Sequence, residues 1–100
     1  MNENINSYYN FEQMRKFRER GVIIPDLNSV RIGYEVAQEN ISAGSKLHPF
    51  VRINGSKTEI HAGANIGPSG PATLDNSWIG ENAVVGSLGS VTLKDTVVGP

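Results

Sequence analysis

TLDNSWIG (Thr73 to Gly80) and TLKDTVVG (Thr92 to Gly99) are near copies of one another, set 19 residues apart. Stepping outward from this pair at the same interval finds aliphatic residues in register. Ile41, Ile60, Ile79 and Val98 form one series, Leu47, Ile66 and Val85 a second, and Ile53, Ala72 and Val91 a third. Within each repeat the series lie six residues apart, as in Ile41, Leu47 and Ile53. Other columns agree: Gly44, Gly63 and Asn82; Ser45, Ala64 and Ala83; Thr58, Ser77 and Thr96. A fixed internal period is the signature of a stacked, quasi-one-dimensional architecture.

The chemistry of the repeat selects among such architectures. Gly, Asn and β-branched residues are too frequent for a helical repeat, and no helix-length segment separates the strands as βαβ units require. Six residues supply one short strand and one corner. Three units then close a triangular coil, with the nineteenth residue absorbed at a corner. Parallel strands of successive coils stack about 4.8 Å apart, so each aliphatic column lines the inside of the prism. Gly and Asn at the corners supply the positive φ that tight turns need. The fold class expected is all-β: a parallel β-helix of about three to four coils over residues 22–100, preceded by a tail and one short α-helix over residues 1–21.

That helix is punctuated at both ends. Asn10 is placed to cap it, with Gln13 completing a variant of the capping box. Glu12 lies in the first turn, Lys16, Arg18 and Arg20 lie toward the last, and Gly21 stands at the C′ position. Phe11, Met14 and Phe17, with Tyr8, form an apolar stripe expected to pack on the rest of the chain. A membrane-surface helix is the alternative, although its charged face is short and the run covers only three turns; docking of Asn10 to Arg20 on another domain is a further reading. Arg15, Lys16, Arg18 and Arg20 are expected to form a solvated face.

Bulk properties exclude several classes. Hydrophobic residues at 38% and charged residues at 19% describe a folding chain rather than a disordered one. A net charge of −1 provides no field to gather nucleic acid or an anionic membrane. No cysteine is present, so disulfides and thiolate metal sites are excluded. No apolar run approaches the ~20 residues of a membrane span, and MNENINSYYN lacks the features of a secretory signal. A cytoplasmic protein that binds neither nucleic acid nor membrane is expected.

The units IHAGAN, IGPSGP, IGENAV and VGSLGS (residues 60–71 and 79–90) resemble the hexapeptide motif. That resemblance implies a left-handed coil and homotrimeric assembly. EQMRKFRERGVIIPDLNSVRIGYEV (Glu12 to Val36) resembles, more narrowly, the start of the acetyltransferase domain of bifunctional N-acetylglucosamine-1-phosphate uridyltransferases. The order Pro25-Asp26 departs from that family's Asp-Pro-like turn. The likeness spans roughly residues 11–100 and implies a parent acyltransferase moving an acetyl group from acetyl-CoA to an amino sugar phosphate. The family's Gly-rich nucleotide loop is absent. Its acetyl-CoA site and catalytic histidine lie in later coils and at subunit contacts, so no catalytic residue carries over and no cofactor is expected in this chain. Pro100 falls one step into a new repeat, which reads as a chain truncated at its C-terminal end.

Candidate sites are few. His48 and His61, each following an inward aliphatic residue, are expected at corners facing solvent. A subunit-bridging zinc site, as in hexapeptide carbonic anhydrases, is the alternative, although those sites use three histidines. Asn54 to Thr58 superficially resembles a phosphate loop but lacks the glycine spacing, and is expected to be an Asx or Ser/Thr corner. Gly67 to Pro71 is expected to shape a corner or short loop, and Trp78, assigned to a column with Lys57 and Val97, to form a wall or subunit contact. Two functions follow: the opening portion of a sugar-nucleotide-pathway acyltransferase, or a non-catalytic oligomerising β-helix module. A metal-dependent enzyme is the third.

Overall fold

The computed structural model describes residues 8–100; the expected tail before Tyr8 lies outside them. Among the described residues the chain forms one α-helix followed by a parallel β-solenoid. Helix α1 spans Phe11–Glu19. Ten short strands follow: β1 (Arg31–Ile32), β2 (Lys46–Leu47), β3 (Val51–Asn54), β4 (Glu59–Ile60), β5 (Asn65–Ile66), β6 (Ala72–Asp75), β7 (Trp78–Ile79), β8 (Val84–Val85), β9 (Val91–Lys94) and β10 (Val97–Val98). They build three parallel faces, ordered β1-β3-β6-β9, β4-β7-β10 and β2-β5-β8. The four-stranded face marks about four turns.

Two of the three expected columns stack as read. Ile60 pairs with Ile79 and Ile79 with Val98, and an isolated bridge adds Ile41. Leu47, Ile66 and Val85 stack on the second face. The third column differs. Ile53 stands beside Leu74 and then Leu93, while Ala72 lies between Val51 and Val91. The reason is a compensated shift in corner length. The second coil is two residues shorter between Leu47 and Val51 than the next coil between Ile66 and Ala72. It recovers both residues between Asn54 and Glu59. The period of 19 therefore survives on two faces while the third is offset by 21 between β3 and β6.

The prism interior is mainly aliphatic. Ile32, Ile41, Leu47, Ile53, Ile60, Ile66, Leu74 and Ile79 are fully buried. The column Ser45, Ala64 and Ala83 is buried as well, so the walls approach there. Corners use the left-handed backbone: Gly44, Gly63 and Asn82 have φ of 89°, 80° and 61°. The Thr58, Ser77 and Thr96 column forms a ladder. Thr58 Oγ1 accepts from the Ser77 amide, and Ser77 Oγ accepts from the Thr96 amide, both at 3.3 Å. The buried hydroxyls thus satisfy backbone donors that a corner leaves unpaired.

Helix α1 covers the first coil. The capping box is complete: Asn10 Oδ1 accepts from the Gln13 amide at 2.9 Å, and Gln13 Oε1 accepts from the Asn10 amide at 2.8 Å. Met14 and Phe17 are buried, whereas Phe11 is exposed. The apolar stripe is therefore engaged by the chain's own coil. Tyr9 meets Phe17 edge-on at 5.3 Å, and its hydroxyl donates to the Val36 carbonyl at 2.7 Å. Burial, with Glu39, Glu35 and Tyr34 adding to it, raises the Tyr9 phenol above its ordinary pKa. Arg15, Lys16, Arg18 and Arg20 are all exposed, as the sequence predicts; Arg18 and Arg20 in addition donate to the carbonyls of Ile24 and Gln38, satisfying acceptors in the first coil.

Among the described residues, nothing covers the other end. β8, β9 and β10 are each the last strand of their face. Val91, Leu93 and Val98 are only partly buried there, and Leu88 and Val97 are exposed.

Candidate functional site

His48 and His61 sit at different corners. The His48 amide donates to the Ile66 carbonyl and that of Gly67 to Val85, so His48 shares its column with Gly67 and Gly86. The His61 amide bonds Ile79 and that of Gly80 bonds Val98, placing His61 with Gly80 and Gly99. Both columns match the sequence reading. Both side chains are half-buried with partners of their own rather than freely solvated. His48 Nε2 lies 2.5 Å from Asn65 Oδ1, within hydrogen-bond distance. His61 Nε2 lies 3.2 Å from Glu59 Oε1, and its ring packs on Trp78 with centroids 4.7 Å apart. Among the described residues no three His, Asp or Glu side chains gather as a metal set.

Trp78 pairs with Glu59 and Val97, so the neighbour assigned to it as Lys57 is corrected to Glu59. The reason is the plain 19-residue step on that face. Asn54 to Thr58 is a corner: Gly55 takes φ 94°, Thr58 Oγ1 donates to the Asn54 carbonyl, and the Lys57 amide donates to Asn76 Oδ1. The Lys57 amide thus serves the next coil's corner, while the Gly55 amide donates to Glu35 Oε2 at 2.7 Å. Gly67 to Pro71 forms the loop between β5 and β6 and stacks on the loop at Gly89, where a Cβ on Gly70 would meet backbone at 2.8 Å.

A larger concavity lies elsewhere, on the four-stranded face of the first coils. It is an open groove of about 520 Å³ whose lining includes Asn28, Ser29, Arg31, Phe50, Arg52 and Thr73. Arg31 and Arg52 are directly paired on β1 and β3. Both point outward because the pleat turns their neighbours Ile32 and Ile53 into the core. Arg31 Nη1 donates to the Asn28 carbonyl at 2.7 Å, which holds the guanidinium against the loop. No ion pair involving either arginine occurs among the described residues. Asp26 also lines the groove; its Oδ1 accepts from the Asn28 amide at 3.1 Å.

Phe50 forms the groove's aromatic wall. It is 66% exposed and adopts φ 68°, a left-handed conformation that costs a bulky residue about 1–3 kcal/mol. Its amide is tied to Ser29 Oγ at 3.2 Å. A step of 19 from Arg31 lands on Phe50, not Arg52, so the periodic reading separated the two arginines. Only a two-residue register shift brings them together.

Compared with known families, curated proteins and solved structures, the chain gives no significant match.

Proposed function

We propose that this chain is the capped opening section of a left-handed hexapeptide-type acyltransferase that transfers acetyl groups from acetyl-CoA to an amino sugar phosphate. Its own contribution is scaffold: it starts the solenoid, fixes the stacking of the coils and presents flat faces for trimer formation in the cytoplasm. The observation that carries this reading is a three-faced parallel solenoid of about four turns whose first coil is covered by helix α1: Met14 and Phe17 are buried there, and Arg18 and Arg20 donate to the Ile24 and Gln38 carbonyls.

A non-catalytic oligomerising module is the second reading. It is favoured by the separation of His48 and His61, each engaged with its own partner. Titrating acetyl-CoA calorimetrically into the 100-residue chain and into the protein extended by its downstream coding sequence distinguishes the two. Binding by the extended protein alone supports the acyltransferase section. No binding by either supports the module.

A further inference from the structure

We propose that the groove between Arg31, Arg52 and Phe50 binds a phosphoryl group carried on a ring-bearing small molecule. This site is independent of the acyltransferase reading and uses none of the residues at the uncovered end.

Like charges directly opposite one another on adjacent strands are unfavourable, and Arg31 and Arg52 form such a pair, on strands about 4.8 Å apart. Neither is neutralised by an acid among the described residues. Among the described residues, Asp26 is the only acidic side chain in the lining, and its Oδ1 is turned onto the Asn28 amide of its own loop. Two cations and one anion leave the groove positive on a chain whose net charge is −1. A tetrahedral dianion relieves that arrangement, because each guanidinium presents a planar fork of N–H donors suited to phosphate oxygens. Arg31 is already positioned by the Asn28 carbonyl, so part of the ordering cost of binding is met before the ligand arrives.

Phe50 adds the second element. A half-buried or polar residue would suit a corner, and glycine would suit its φ. The chain instead holds an aromatic ring, exposed and in left-handed backbone, at the groove's rim. Such outliers gather at ligand sites. The ring offers a flat apolar face on which a ligand ring can stack while its phosphoryl group reaches the arginines. The groove volume of about 520 Å³ falls within the ~300–1,000 Å³ usual for small-molecule sites.

Phenyl phosphate, inorganic phosphate and benzyl alcohol are the probes, followed by amide chemical shifts at low ionic strength. The expected result is saturable shifts at Ser29, Phe50 and Arg52 with phenyl phosphate, several-fold weaker saturation by inorganic phosphate at the same amides, and none with benzyl alcohol. Arg52→Ala weakens phenyl phosphate about tenfold or more, and Arg52→Lys falls between it and the parent. Phe50→Gly, which suits the backbone, removes the advantage of phenyl phosphate over inorganic phosphate. Unchanged amide shifts outside the groove report that each variant is folded. Absence of saturation at these amides, equal binding of benzyl alcohol, or undiminished binding by Arg52→Ala overturns the proposal.

Discussion

Gly21 and Gly44 occupy the same corner of successive coils, joined by the Gly44 amide donating to the Gly21 carbonyl at 2.8 Å. The residue that ends helix α1 is therefore also the first corner of the solenoid. Its φ of 104° serves both tasks. A Cβ placed on it would lie 2.8 Å from the Ala43 Cβ. Gly21→Ala is expected to destabilise the protein by about 1–2 kcal/mol or more, through left-handed strain and this contact. Gly99→Ala, with nothing within 4 Å of its Cβ, is expected to change stability by less than ~0.5 kcal/mol. Urea unfolding of both variants checks the difference.

The register on the four-stranded face is tested by its size order. Leu74 stands beside Ile53 and is fully buried, so Leu74→Ala is expected to cost about 2–5 kcal/mol. Ala72 fills a narrow place between Val51 and Val91, and Ala72→Leu is expected to cost about 1–3 kcal/mol by overpacking. Were Ala72 stacked beneath Ile53 with slack around it, the larger side chain would be tolerated.

The hydroxyl ladder makes a separate prediction. Thr58→Val keeps the shape of the side chain but removes the acceptor of the Ser77 amide, a bond inside the wall. An expected loss of about 1–3 kcal/mol follows from the orphaned donor. Thr58→Ser should recover most of it, and thermal unfolding of the pair measures the contrast.

Alkaline pH should loosen the helix cap. The Tyr9 phenol titrates higher in the folded protein than in the unfolded chain, chiefly because it is buried. Its contribution to stability is therefore complete below the unfolded value near 10 and is lost as pH rises through the higher folded value. Tyr9→Phe removes this component, so the stability of the variant should fall less steeply with alkaline pH than that of the parent. Denaturant midpoints measured across that range check the slope.

The uncovered edges of β8, β9 and β10 predict association. Sedimentation velocity at micromolar concentration is expected to show species larger than the monomer; a single stable monomer contradicts it.

Much of this was legible in the residues. The columns through Ile60 and Ile66 were visible because two faces keep one period, and Gly44, Gly63 and Asn82 revealed a corner because each needs the same backbone. The four-stranded face was read with Ile53 above Ala72, since a period cannot report two compensating changes of corner length. The same shift hid the pairing of Arg31 with Arg52, and with it the groove. Gly21 was legible only as a helix end, because it stands 23 residues from Gly44 and falls outside the repeat. The roles of Arg18 and Arg20 were hidden for another reason: charge at a helix end fits the dipole equally well whether or not the side chain reaches a carbonyl.

The central claim, that this chain opens an acyltransferase solenoid, is tested most directly by sequencing the coding frame beyond Pro100. The account predicts that 19-residue repeats continue and bring histidine and basic residues to later corners. A stop codon immediately after Pro100 would contradict it and leave a non-catalytic module.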